Sequence, residues 1–72
     1  MITEFYKVKV NSKFMDPRGE EYIKTSNDIQ NRDKGYYPIN AQCLTGERKG
    51  HNISVGHYSP VSVKSKLDIE VK

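Results

Sequence analysis

The chain predicts a small all-β domain, an antiparallel barrel of five strands, and three observations carry that expectation. From Val61 the apolar residues fall at Val61, Val63, Leu67, Ile69 and Val71, with Ser62, Lys64, Lys66, Asp68 and Glu70 between them. A period of two sends successive side chains to opposite faces of a strand, one buried and one wet. No stretch repeats apolar residues at helical spacing, so no amphipathic helix competes with this reading. Turn residues also divide the chain into short runs: Pro17 and Gly19, Gly46 and Gly50, Gly56 and Pro60.

Composition agrees with a thin core. Hydrophobic residues make up 35% of the 72 residues, and the mean hydropathy is -0.80. A chain of this length forms a single domain, residues 1–72, and buries only about 60% of the surface its unfolded form exposes. One small hydrophobic layer suits that supply. The net charge of +3 permits an anionic partner without demanding one. Cys43 is the single cysteine, so the disulfide framework of small secreted domains is excluded. The first residues carry Glu4 and no apolar run, unlike a secretory signal, and no stretch has the apolar length of a membrane span. These features predict a soluble, cytoplasmic protein.

Each element follows from its pattern. In residues 4–10, Tyr6, Val8 and Val10 alternate with Lys7 and Lys9, which predicts strand one. Met15, Asp16, Pro17, Arg18 and Gly19 predict a turn, because proline presets φ and glycine supplies a positive one. Strand two is expected over 20–26, making a hairpin with strand one. Residues 27–36 are polar except Ile29 and predict a loop, with a helical turn capped by Ser26 or Asn27 as the most it holds. Strand three spans 37–44, with Ile39, Ala41 and Cys43 on one face. The glycine-flanked, charged segment 45–50 is a hairpin loop, and 51–55 is strand four. Residues 56–60 break the strand and are short enough for one 3₁₀ turn. Strand five, 61–71, exceeds one wall of a small barrel at about 3.3 Å per residue, so a bend is expected at Lys64, Ser65 and Lys66. The phases predict a core of Val8, Val10, Ile23, Ile39, Ala41, Ile53, Val55, Val61, Val63, Leu67 and Ile69.

Five short strands with a 3₁₀-like break before the last fit an SH3-like barrel first, an OB-like barrel second and an open meander third. A further pattern supports the first. Phe14, Asp16, Gly19, Glu20, Tyr22, Lys24, Thr25 and Ser26, then Asn40 and Ala41, then Leu44, Thr45, Gly46 and Glu47, then Pro60 and Val61, follow an order that resembles many small phage-encoded proteins with SH3-like folds. The resemblance covers about two-thirds of the chain and departs from the pattern over 27–38. It implies a fold and a phage or mobile-element origin, and it carries no catalytic residue across.

Chemistry-bearing groups are few. Cys43, His51 and His57 are the only soft metal ligands, without the spacing of a zinc site. Cys43 shares its phase with core residues, which predicts a buried, inert thiol rather than a nucleophile. Glu20 and Glu21 are neighbours on a strand and point to opposite faces. No cofactor, metal or catalytic site is therefore expected. What remains is a basic and aromatic surface. Lys7, Lys9, Lys13, Arg18 and Lys24 lie on the first hairpin. Arg32, Lys34, Tyr36 and Tyr37 lie in or beside the long loop, and Arg48 and Lys49 at the second hairpin tip. Small barrels stack single-stranded bases on such aromatics within a cationic groove. On strands the same lysines keep an edge soluble. The 27–37 loop is long for so small a domain, and long loops often bind partners. The expected function is a non-enzymatic binding domain that docks on a host protein as inhibitor or regulator. Binding residues are expected to be Tyr36, Tyr37, Arg32, Lys34, Arg48 and Lys49. A nucleic-acid-binding barrel and a structural component of an assembly are the alternatives.

Overall fold

A computed structural model describes residues 1–70. Six strands form one antiparallel sheet: β1 (Ile2–Glu4), β2 (Lys13–Met15), β3 (Glu21–Lys24), β4 (Ala41–Cys43), β5 (Asn52–Ile53) and β6 (Pro60–Ser62). Their order is β1-β6-β2-β3-β4-β5. β1 and β5 form the two edges and do not pair, so the expected closed barrel is replaced by an open sheet of six short strands. No α-helix occurs among the described residues, and the remaining elements are three 3₁₀ turns, Phe5–Lys7, Arg32–Lys34 and Lys66–Asp68.

A hairpin does flank the turn at residues 15–19, formed by β2 and β3 with Phe14 opposite Tyr22, but its first strand lies outside the expected residues 4–10. Its turn is built by Asp16, whose Oδ1 accepts from the amides of Arg18 (2.9 Å) and Glu20 (3.0 Å). Gly19 sits at φ 87°, the left-handed conformation that favours glycine. Residues 4–10 do not form the expected strand. The chain turns at Phe5–Lys7, with Val8 donating to the Phe5 carbonyl, and this rolls the Phe5 ring into the core. Val8 meets Ile69 in an isolated bridge, so the two ends of the chain still pair. The expected bend in the last strand is present. β6 ends at Ser62, and Ser65 caps the 3₁₀ turn by accepting from the Leu67 amide at 3.1 Å. Val71 lies outside the described residues.

The core is more aromatic and more polar than the phases predict. Phe5, Val8, Phe14, Tyr22, Ala41, Cys43, Val61 and Val63 are buried, with Ile53, Val55 and Ile69 packed against them. Phe14 stands between Phe5, edge-on at 5.2 Å, and Tyr22, stacked at 5.4 Å. Offset and edge-on rings add about 0.5–1.5 kcal/mol per pair to the area buried.

Four expected core residues are corrected. Leu67 is 79% exposed, because the 3₁₀ turn lifts it off the sheet. Ile39 is 56% exposed, because the neighbouring Asn40 takes the inward position. Asn40 accepts from the Val55 amide at 2.8 Å and donates to the carbonyls of Val55 (3.0 Å) and Asp28 (3.2 Å). Ile23 and Val10 are only half-buried. On β3 the phase is reversed: Tyr22 and Lys24 face in, and Ile23 faces the other side.

Candidate functional site

The long loop is not structureless. Asn31 and Tyr36 exchange both backbone hydrogen bonds at 2.9 Å, closing a small hairpin around the turn Arg32–Lys34. The Asn31 side chain accepts from the Lys34 amide, and Gly35 turns the chain at φ 65°. Arg32, Lys34, Tyr36 and Tyr37 all project into solvent from this hairpin. Arg48 and Lys49 do not join them. They lie in the connection after β4, whereas the hairpin lies in the connection before it. The six residues thus come from two different connections of the sheet.

Arg48 is engaged at its own end. Its Nη2 donates to the Tyr22 hydroxyl at 3.1 Å and lies 3.6 Å from Glu20 Oε2. The Tyr22 hydroxyl donates to Asp16 Oδ2 at 2.9 Å. Burial and the bonded Asp16 carboxylate push the Tyr22 phenol up to about 12, Arg48 opposing them in part. Burial raises the Asp16 pKa, but its bonds from Tyr22, Glu20 and Arg18 outweigh that and hold it below the usual carboxylate value. Cys43 is buried beside this network, with Sγ 3.0 Å from the Thr45 carbonyl. Among the described residues no group of three or more His, Cys, Asp or Glu is placed to hold a metal.

The more organised surface was not singled out from the sequence. Tyr6 and His57 stack with centroids 4.5 Å apart, and Tyr58 stands edge-on to both, 4.8 Å from His57 and 5.6 Å from Tyr6. The backbone sets this arrangement. Tyr6 donates to the His57 carbonyl and Phe5 to the Ser59 carbonyl, so the Phe5–Lys7 turn is laced to the 56–59 turn. Tyr58 remains 72% exposed. Opposite it, Gln30 donates to Ser54 Oγ at 2.9 Å and brings the long loop alongside. Between them runs an open groove of about 700 Å³, lined by Ile29, Gln30, Arg32, His57 and Tyr58. A Cβ on Gly56 would stand 3.0 Å from Ser59 Oγ, so glycine leaves the turn room to pack there. A local sequence clue exists. His57 and Tyr58 are adjacent aromatics in a turn, but their partner Tyr6 is far away in the chain.

A smaller pocket of about 250 Å³ adjoins the groove and shares Ile29 and His57 with it. Lys24 lines it and is only 2% exposed. Its Nζ lies 3.4 Å from the carbonyls of Phe5 and Tyr6, and 4.7 Å from the centre of the Phe5 ring. Burial lowers the Lys24 pKa, and the charge of Glu70 partly offsets that.

Comparison with protein-family models, with curated proteins and with solved structures finds no match.

Proposed function

We propose that this chain is a non-enzymatic binding domain that docks a segment of another protein in the groove between residues 29–32 and the 56–59 turn. The observation that carries the reading is the Tyr6, His57 and Tyr58 cluster, which presents a largely exposed tyrosine beside an exposed Ile29 and a cationic Arg32. Tyrosine and arginine dominate interface hot spots, and rigid rings lose little entropy on binding. We read the sheet as an SH3-like arrangement, on the pattern of the sequence and on the short turn before β6. On the same resemblance we place the chain among phage- or mobile-element-encoded regulators acting on a host protein in the cytoplasm.

The test is affinity capture from lysate with and without nuclease, comparing the parent with Tyr58→Ala and Tyr36→Ala. Nuclease-resistant capture of one protein, lost in Tyr58→Ala and kept in Tyr36→Ala, supports the groove. Capture insensitive to Tyr58→Ala contradicts it. The second reading, nucleic-acid binding, is favoured by one feature: Arg32, Lys34, Tyr36 and Tyr37 project together from the 31–36 hairpin. Oligonucleotide affinity that falls steeply with salt and responds to Tyr36→Ala would favour it.

A further inference from the structure

Of the three arginines in the chain, Arg32 is the one the fold leaves without a carboxylate. Arg18 lies 3.9 Å from Asp16 and Arg48 3.6 Å from Glu20, and Arg48 also donates to the Tyr22 hydroxyl. Among the described residues Arg32 makes no ion pair, and it is exposed. Its backbone is nonetheless held on both sides. Asn31 and Tyr36 exchange backbone hydrogen bonds around it. Gln30 ties the loop to Ser54, and Asn40 holds the Asp28 carbonyl. A cation carried on ordered backbone loses less freedom on binding than one on a loose loop.

The groove beside Arg32 selects the sign of charge it receives. Arg32 is the only lysine, arginine, aspartate or glutamate in its lining. Ile29 and Tyr58 supply apolar surface, and Gln30 and Ser59 are uncharged. His57 is stacked on Tyr6. Asp28 lines the adjacent pocket and not the groove, and Asp33 lies beyond ion-pair distance of Arg32. One guanidinium in a groove without acids complements one negative charge. Its planar fork takes both oxygens of a carboxylate. Phosphate recognition draws instead on clusters of arginine, and this lining holds a single one.

We propose that the groove docks an acidic and aromatic segment of the partner: an Asp or Glu carboxylate forks onto Arg32, and a neighbouring aromatic side chain packs on Tyr58 and Ile29. This rests on the docking reading and specifies the chemistry of its partner. The charge decides which segment enters, and the rings supply the buried contact. No covalent bond forms. Replacing the partner's acid by its amide removes a charge-assisted pair of hydrogen bonds and should weaken binding about tenfold.

The probe is a phage-displayed library of random linear peptides, selected on the intact chain, with the strongest peptide then synthesised for fluorescence anisotropy. The selected peptides are expected to share an Asp or Glu close to an aromatic residue, and to need Tyr58. Arg32→Glu should select basic peptides instead, and Arg32→Lys should keep the preference for acid. Lys34→Glu, in the same turn but outside the lining, should also keep it. In the synthesised peptide, Asn or Gln for the acid should weaken binding about tenfold. That substitution is made in the peptide, so it decides even where a variant does not fold. Tyr58-dependent peptides without an acid overturn the proposal and leave the docking reading standing. The same peptides selected by the parent and by Arg32→Glu do so too. A phosphoserine version that binds more tightly than the acid overturns the carboxylate as occupant. A single-stranded oligonucleotide that displaces the peptide at equal concentration, or a library that yields no binder, overturns the proposal and the docking reading together.

Discussion

At the scale of single residues, the inner face was legible where apolar side chains occupy it. Val8, Ala41, Cys43, Val61 and Val63 are buried as their phases predict. The reading failed where polar residues go in. On β3 Tyr22 and Lys24 face in and Ile23 does not, so alternation counted on hydrophobicity alone assigns that strand the wrong face, and just before β4 Asn40 is buried while Ile39 is exposed, although the expected face of β4 itself is the buried one. Phe5 and Phe14 were missed because a 3₁₀ turn, not a strand, aims the first of them. Phe5→Ala should therefore cost about 3–5 kcal/mol, enough to abolish a cooperative urea transition in so small a domain. Leu67→Ala should change the midpoint by no more than about 0.5 kcal/mol. Tyr22 makes a prediction about pH. Its phenol titrates near 12 in the fold, against 10.0 for an ordinary tyrosine. The neutral form is thus favoured by folding, and that contribution is complete below pH 10 and lost as pH rises through 12. Urea midpoints should fall more steeply over this range for the parent than for Tyr22→Phe. Parallel profiles would show that the phenol is not held by Asp16.

At the scale of elements, the turns were the most legible features. Asp16, Pro17 and Gly19 build the β2–β3 connection by a mechanism written in their residue types, and the lapse of the apolar row at Ser65 marks the break after β6. Strand lengths were not legible. Residues 4–10 alternate well enough for a strand, but the Phe5 and Tyr6 amides bond across to the 56–59 turn, and that distant partner decides their conformation. The long loop is fastened in the same way, by Asn40 to Asp28 and Val55 and by Gln30 to Ser54. Asn40→Ala leaves the Val55 amide without its acceptor and should cost about 1–3 kcal/mol. Hydrogen exchange should show the Val55 amide losing protection ahead of those in β2 and β3. Unchanged protection would show that the asparagine does not hold the loop.

At the scale of the whole molecule, the all-β class follows from the sequence, and the closure of the sheet does not. Closure depends on whether two edge strands meet, and nothing in either strand's own residues encodes that meeting. The candidate site was half legible for the same reason. The loop that borders the groove was recognised by its length, and Arg32 by its charge. The aromatic cluster is assembled from Tyr6, His57 and Tyr58, which only the fold brings together. Lys34 and Lys49 lie in different connections, before and after β4, and should act independently. Lys34→Ala and Lys49→Ala should slow association with an acidic partner to different degrees and additively, as stopped-flow rates would show.

The groove is the central claim, and a photo-crosslinker placed within it tests that claim most directly. With p-benzoylphenylalanine in place of Tyr58, irradiation of cells making the protein should give a discrete adduct with one protein. That adduct should resist nuclease and disappear when Ile29 is also changed to Asp. The same probe in place of Leu67, exposed and not part of the groove's lining, should give none. Adducts of equal yield from both positions, or an adduct at position 58 that nuclease removes, would contradict a protein-docking groove.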